Sequence, residues 1–511
     1  MSAPWVLRDA DIEELFRLAS YVALVLKPGD VVALKGELGA GKTTFARGLI
    51  GAVLDDPALE IPSPTFALMH VYDGGRLPLA HIDCYRLESA EEAREIGLED
   101  ALRNGAAIIE WAERISGVLP GDRLEIEIRD GARDDLRDLT LTGHGAWRER
   151  LARLRDMAAF CAASPWARAR PVFLQGDAST RAYARLHLGS ESAILMDAPA
   201  LSDGPPVRDG KSYSALVHLA EDVKPFVAVA QALGRAGLSA PRILAHDLAG
   251  GFLIIEDLGN RVFAAEPGDD PPLEELYRAA ADVLVALRAH PPEEELPLPG
   301  GGTHTLPRFD ARALQIEADL LLDWFYPAVH GHAASAPVRA AFHAAFGALF
   351  EALEGQDESW VLRDYHSPNL LWLPEREGLA RVGVIDFQDA VRGHAAYDLV
   401  SLLQDARRDI PASLEGRLLL HYCDACERRD SEFGGQAFSA AYATLGAQRN
   451  TKILGIFARL AKRDGKHGYL AHIPRVSAYL ERDLEHPALG FLRDWYDTHL
   501  PAAVRVKPLD I

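Results

Sequence analysis

Lysine, cysteine and methionine are all scarce in this 511-residue chain, which carries nine Lys, four Cys and four Met. The cysteines, Cys84, Cys161, Cys423 and Cys426, are too few and too scattered to staple a fold, which excludes a disulfide-framed scaffold. No apolar run approaches the roughly 18 residues that a membrane span needs. The start, MSAPWVLRDADIEEL, has neither the basic region nor the apolar stretch of a signal peptide. These shortages point to a cytoplasmic protein with no membrane partner. Positive charge is also short. A net charge of −21 argues against non-specific nucleic-acid binding, which relies on Lys and Arg to neutralise phosphates. The deficit is concentrated at the front, where residues 1–140 hold 15 Lys and Arg against 26 Asp and Glu, a balance of −11. That segment is not expected to grip RNA directly, although it can serve RNA chemistry through a protein partner. No repeat of 20–50 residues is present.

What is present is organised in two stretches. Length suggests about three domains. Residues 11–26 have apolar positions at helical spacing and stop at Pro28-Gly29, so they predict a helix. The β-branched run 30–35 predicts a strand, FARGLIGAVL a helix, and 78–83, 106–109 and 123–129 further strands. After the polar stretch 130–146, residues 147–161 predict one helix. The boundaries expected are 1–145 for a front α/β domain, 146–165 for a linker helix and 166–511 for a rear domain. In the rear, PVFLQGDASTRAYARLHL and SAILMDAP read as strand, turn, strand, strand. A helix is expected at 213–235, then strands in RILAHDL and GFLIIEDLG, a Pro/Gly-rich loop at 291–305, and mainly helices beyond 275. The small β-rich lobe spans about 166–260 and the larger helical lobe about 261–511.

GELGAGKTT, residues 36–44, fits G-x-x-x-x-G-K-[ST] between a predicted strand and helix, the setting of a phosphate-binding loop. Backbone N–H groups from Gly36, Glu37, Leu38, Gly39, Ala40, Gly41, Lys42, Thr43 and Thr44 would face phosphates at the positive end of the helix. Lys42 would reach the β- and γ-phosphates of ATP, and the Thr43 hydroxyl would hold Mg²⁺. In a chain with nine lysines, a lysine at that one position carries weight. Asp83 and Glu110 each end a short apolar strand, where carboxylates can face a phosphate-bound metal.

Taken with SPTF (63–66), HIDCYRL (81–87) and IIEWAER (108–114), this loop resembles the ATPase subunit of the bacterial machinery that makes threonylcarbamoyladenosine on tRNA, the TsaE type, over about residues 5–140. The resemblance implies a switch role for Thr65 and an Mg²⁺-associated Asp83. It also implies Glu110 as the metal-binding or water-positioning carboxylate, and Trp111 lining the nucleotide site. His81 is expected to pack or hydrogen-bond rather than ligate. Slow ATP hydrolysis driven by partner subunits of that machinery is the implied activity.

The second motif is VLRDYHSPNLL, 361–371. Asp364 and Asn369 match the D-x-x-x-x-N of a kinase catalytic loop, in which the Asp receives the acceptor hydroxyl's proton and the Asn holds Mg²⁺. VGVIDFQDA then places Asp386 after an apolar strand as the second metal-binding Asp. GDASTRAYAR (176–185) would cover phosphates with Ser179, Thr180 and Arg181. IIEDLGN (254–260) would present Glu256 and Leu258 to adenine.

Residues 166–511 resemble the aminoglycoside phosphotransferase superfamily. GDASTRAYAR, ILMDAP, RDYHSPNL and DFQDA with YDLVSLLQDAR are similar to the anomeric kinases of N-acetylmuramate and N-acetylglucosamine (AmgK type), which serve peptidoglycan recycling. The fold class implied is α/β, a P-loop NTPase domain followed by a bilobal protein-kinase-like domain. Two departures stand out. Leu362 occupies the place of the usual loop His, and AILMDAP lacks the phosphate-gripping lysine, for which Arg181, Arg185 or Lys211 are the candidates. The acceptor stays open among amino sugars, aminoglycoside antibiotics, choline and homoserine. A rear pseudokinase and a front domain acting as a nucleotide sensor are the alternatives. CDAC, 423–426, reads as core cysteines on a helix.

Overall fold

The computed structural model describes residues 3–87, 92, 97–175, 181–201, 204–264, 271–507 and 509. The chain divides into two compact units. The first comprises residues 1–199 with 244–257, and the second 200–243 with 258–511.

The first unit is built on a seven-stranded sheet in the order β1-β7-β6-β2-β5-β4-β3, from Trp5–Ala10 (β1), Val31–Lys35 (β2), Met69–Tyr72 (β3), Leu79–Asp83 (β4), Ala106–Glu110 (β5), Arg123–Asp130 (β6) and Arg137–His144 (β7). The centre is parallel: β2 pairs with β5 and β6, and β4 with β5. β4 and β5 are buried along their whole lengths, as expected of parallel strands covered on both faces. Helix α1 (Ile12–Val25) begins with a capping box, in which Asp11 accepts from the Glu14 N–H and the Glu14 carboxylate accepts from the Asp11 N–H. Helix α2 (Lys42–Leu54) follows the glycine loop. A short helix α3 (Leu98–Asn104) precedes β5.

A second, five-stranded sheet in the order β11-β12-β10-β9-β8 completes this unit, from Arg170–Leu174 (β8), Ala182–Leu188 (β9), Glu191–Asp197 (β10), Ile243–Asp247 (β11) and Phe252–Glu256 (β12). The linker helix expected over 146–165 is present as helix α4, Trp147–Ala162, and it is firmly held. Trp147 Nε1 and Arg150 donate to the Asp30 carboxylate just before β2, while Arg153 donates to Asp197 at the end of β10 and to the Gly250 carbonyl. One hydrophobic core runs from α1 and α2 through Trp147, Leu151 and Leu154 to Leu186, Leu195 and Ile254. Both sheets of this unit therefore share an interior.

The second unit is largely helical, with long helices at Leu273–Ala289, Ala336–Leu353, Ala412–Glu427, Gly435–Asp464 and Ile473–Leu484. Two small ladders frame the loop over 362–369. Glu358–Val361 (β15) pairs with Val391–His394 (β18), and Leu370–Trp372 (β16) pairs with Val382–Val384 (β17). Among the described residues no helix is long and apolar enough to cross a membrane.

The sequence pattern missed β1, β3 and β7: β1 carries Arg8 and Asp9 on a largely exposed run, β3 is only four residues long, Met69–Tyr72, and β7 opens with the charged pair Arg137 and Asp138. The helix expected over 213–235 is two helices, Tyr213–Val217 and Lys224–Arg235. His218 takes a left-handed conformation with φ +59° and ends the first, while Pro225 sits in the first turn of the second. Within the loop expected at 291–305, Glu295–Pro297 (β13) and Thr303–Thr305 (β14) pair as a short hairpin. Cys423 and Cys426 lie on the helix Ala412–Glu427 as free thiols, as do Cys84 and Cys161 in the first unit.

Candidate functional site

The glycine loop runs from Gly36 to Gly41 and hands directly into α2. Gly36 has φ +143°, and a Cβ there would meet the Ile128 carbonyl oxygen at 2.3 Å, so only glycine fits. Gly41, with φ +102°, is the N-cap and brings no side-chain cap, so the first N–H groups of α2 are left for an anion. Lys42 folds back over the loop. Its Nζ donates to the Gly36 and Glu37 carbonyls at 2.8 and 2.7 Å and lies 3.6 Å from the centre of the Trp111 ring. Burial pulls the Lys42 pKa down, and the carboxylates of Glu110, Glu113 and Asp83 oppose that pull. Leu38 is exposed, Ala40 is buried, and Thr44 is half-buried on the first turn of α2. A cleft of about 740 Å³ opens beside the loop, lined in part by Glu37, Leu38, Trp111, Glu113 and Glu127.

Asp83 and Glu110 stand side by side, register partners at the ends of β4 and β5. Both are buried, and each is engaged by hydroxyls. Thr43 donates to Glu110 Oε2 at 2.8 Å. Thr65 and Ser63 donate to Asp83 Oδ2 at 2.6 and 3.0 Å. The other Glu110 oxygen meets His81 Nε2 at 2.8 Å, so His81 hydrogen-bonds behind the carboxylate. Arg137, on β7, supports the loop from outside by donating to the Ala40 carbonyl at 2.9 Å. Sequence reasoning overlooked Arg137, because its partner is a backbone atom 97 residues away. It also overlooked Ser63, although the motif SPTF contains it.

In the second unit, Asp364, Asn369 and Asp386 come together. The Asn369 amide nitrogen donates to the Asp364 carbonyl at 3.0 Å and to Asp386 Oδ2 at 3.3 Å, and Gln388 donates to Asp386 Oδ1 at 2.9 Å. Arg363 and Asp386 both have left-handed backbones, φ +70° and +61°, a strained geometry for non-glycine residues that concentrates at functional sites. The loop is pinned from behind. Asp398, fully buried, accepts the N–H groups of Leu362 and Arg363 at 2.6 and 3.0 Å, and Asp405 accepts from the Ser367 N–H at 3.0 Å. The brace missing at Leu362 is thus supplied from Ala396–Leu403, the helix that YDLVSLLQDAR encodes. Burial pushes Asp398 up to about 7, against the bonds it accepts.

Arg363 is locked to Glu317, which also accepts from Lys452 Nζ at 2.8 Å. Burial acts to raise the Asp364 pKa, but the charges of His366, Lys452, Arg449 and Arg363 hold it below the usual range. The Asp364 side chain is 45% exposed, so its carboxylate faces solvent from a walled position. It stands as an ionised carboxylate open to solvent.

The remaining predicted residues are more dispersed. Ser179 and Thr180 lie outside the described residues. Arg181 immediately precedes β9, and Glu256 ends β12. Leu258 packs with Leu371 and Leu373 in a small buried cluster. Of the candidates for the missing lysine, Arg185 is bound by Asp257 at 2.7 and 3.2 Å, and Lys211 closes a turn with Arg208.

Each centre offers donors that suit a metal shared with phosphates, a hydroxyl and two carboxylates in front, an amide and a carboxylate behind. Among the described residues no three His, Cys, Asp or Glu side chains converge on one metal position.

A family model described as threonylcarbamoyl adenosine biosynthesis protein TsaE matches residues 10–138, and one described as the phosphotransferase enzyme family matches residues 172–433. An N-acetylmuramate/N-acetylglucosamine kinase of Caulobacter vibrioides is 42% identical over 359 residues, covering 68% of this chain and 97% of the relative. A protein of the same name from Pseudomonas aeruginosa is 33% identical, covering 62% of this chain and 86% of that one. A tRNA threonylcarbamoyladenosine biosynthesis protein TsaE of Bacillus subtilis is 40% identical over 139 residues, covering 27% of this chain and 85% of its own length.

Proposed function

We propose that this chain, which belongs at its front to the TsaE family and at its rear to the phosphotransferase enzyme family that includes the N-acetylmuramate/N-acetylglucosamine kinases, runs two separate reactions. The rear site transfers the γ-phosphoryl of ATP to the anomeric hydroxyl of N-acetylmuramate or N-acetylglucosamine, a step of peptidoglycan recycling. The front site hydrolyses ATP in support of threonylcarbamoyladenosine formation on tRNA, driven by partner subunits. Free thiols and the absence of a membrane-length helix among the described residues support a cytoplasmic setting.

The observation that carries the kinase reading is the convergence of Asp364, Asn369 and Asp386 on a loop held by Asp398 and Asp405. Bound Mg-ATP supplies the phosphoryl group and the charge that neutralises it. Asp386 and the amide oxygen of Asn369 would hold the metal, since the Asn369 amide nitrogen is already engaged. Asp364 orients the acceptor hydroxyl and takes its proton as the new O–P bond forms and ADP leaves. In front, the loop N–H groups and Lys42 would hold the phosphates, Thr43 and Asp83 the metal, and Glu110 a water. Thr65, released from Asp83, is the switch. Leu38 and Phe66 are 80% and 90% exposed beside this site, apolar surface that suits a protein partner.

The test is a panel of acceptors with Mg-ATP: N-acetylmuramate, N-acetylglucosamine, kanamycin and choline, with products identified by mass and phosphorus NMR. Sugar 1-phosphates are the expected products. Transfer only to kanamycin or choline would replace the proposed acceptor, and transfer to none would make the rear domain a pseudokinase.

A further inference from the structure

The helix Gly435–Asp464 passes behind the catalytic loop, and the donors of its neighbouring polar residues Gln448, Asn450 and Lys452 are committed, although the Gln448 and Asn450 amide oxygens are not. Gln448 donates to the Leu314 carbonyl at 3.0 Å. Asn450 donates to Gln404 and Asp483 at 2.6 and 2.9 Å, and Lys452 donates to Glu317. Arg449 is different. It is 5% exposed, its buried Nη1 has no hydrogen-bond partner, and among the described residues it forms no ion pair. A buried guanidinium without an acceptor is costly, and native structures keep such a group only for a reason.

Its position supplies one. Lys452, three residues along the same helix face, reaches Glu317, and Glu317 holds Arg363, the neighbour of Asp364. Arg449 itself acts electrostatically on Asp364, His366, Tyr397 and Asp398. Arg363 and Lys452 are spent on Glu317, which leaves Arg449 as the cation of this group with hydrogen-bond capacity to give. Guanidinium is the side chain best matched to a carboxylate, because it offers paired donors in one plane.

We propose that Arg449 is a specificity residue that receives the carboxylate of an acidic acceptor, so that the sugar bearing a lactyl acid is bound in preference to its neutral counterpart. The inference rests on the amino-sugar reading of the rear site. N-acetylmuramate and N-acetylglucosamine share the reacting anomeric hydroxyl and differ by the lactyl group alone. One reaction at Asp364 can therefore be run with and without the anion.

The experiment compares kcat/KM for N-acetylmuramate, its neutral lactyl amide and N-acetylglucosamine in the full-length native chain, Arg449→Gln and Arg449→Lys. Arg463→Gln, which removes an exposed charge paired with Asp464 on the same helix, serves as the control. In the native protein, converting the acid to the amide is expected to cost about 10- to 100-fold, mainly in KM, the range of a charge-assisted hydrogen bond. Arg449→Gln should lose a similar factor on the acid alone, leave N-acetylglucosamine within about threefold, and show little further loss with the amide. Arg449→Lys should recover part of the preference, and Arg463→Gln should keep all of it. The substrate pair tests the idea even where Arg449→Gln fails to fold. Equal use of acid and amide by the native protein overturns the proposal. So does a parallel loss of kcat on both sugars in Arg449→Gln, which would place Arg449 on the transferred phosphoryl group or in the fold. If the native chain phosphorylates neither sugar, the amino-sugar reading itself fails.

Discussion

In the front site one oxygen of each carboxylate that faces the phosphate loop is held by hydroxyls, Glu110 by Thr43 and Asp83 by Thr65 and Ser63, while the other is anchored by His81 and by the Tyr85 N–H, and Lys42 lies folded onto the loop's own carbonyls. In the rear site the Asp364 carboxylate has only a long ion pair, to His366 Nε2 at 4.0 Å, and no hydroxyl partner among the described residues. Rigidity there comes from acids behind the loop, Asp398 and Asp405, which accept backbone N–H groups. Hydroxyl partners can turn to another ligand at little cost, whereas backbone bonds to a buried carboxylate cannot be given up without unfolding the loop. The first arrangement suits a site that changes state when partners and nucleotide arrive. The second suits a site already organised for transfer.

The largest expected effect breaks the rear side of this comparison. Asp364→Asn should lower phosphate transfer by about 10²- to 10⁴-fold, the usual worth of a general base, with the front ATPase unchanged in a phosphate-release assay. Asp398→Ala attacks the brace instead. It leaves two buried N–H groups without an acceptor and should cost about 2–4 kcal/mol of stability, read from denaturant unfolding of the second unit's signal.

A smaller effect is expected from pH. His394 Nδ1 accepts the Ala396 N–H at 3.1 Å at the start of the helix that carries Asp398, and burial lowers its pKa from 6.5 to about 4. The unfolded chain therefore takes up this proton before the folded one. Its contribution is full above pH 6.5 and is lost as pH falls towards 4. Because the side chain is partly exposed, the loss should be no more than about 2 kcal/mol. His394→Gln should flatten that part of the stability–pH curve. The smallest effect sharpens the front side. Arg137→Ala removes the support beneath Ala40 and should weaken binding of a non-hydrolysable ATP analogue by about 3- to 10-fold, measured by calorimetry.

Much of both sites was legible in the sequence because their residues come in short, ordered motifs with fixed spacing. Gly36–Thr44 and Asp364–Asn369 each fold locally, so spacing along the chain becomes spacing in space. What escaped was long-range support. The Arg137–Ala40 contact spans 97 residues, and the Asp398–Leu362 contact spans 36. YDLVSLLQDAR was conspicuous, yet nothing in its pattern says that its first and last acids reach back to pin a loop. The fold was misread for related reasons. β7 alternates over Leu139–Thr142 but follows so charged a run, 130–138, that the whole stretch reads as polar, and nothing in the helical pattern of 147–161 says that its arginines meet Asp30 and Asp197.

The separateness of the two reactions is most directly tested by measuring both activities in both variants: sugar phosphorylation, and ATP hydrolysis without acceptor but with partner subunits added, in Lys42→Ala and in Asp364→Asn. The expected result is a crossed pattern. Lys42→Ala should lose hydrolysis and keep sugar phosphorylation within about twofold, and Asp364→Asn should do the reverse. Loss of sugar phosphorylation in Lys42→Ala would contradict two independent sites and make the front domain a nucleotide sensor for the kinase.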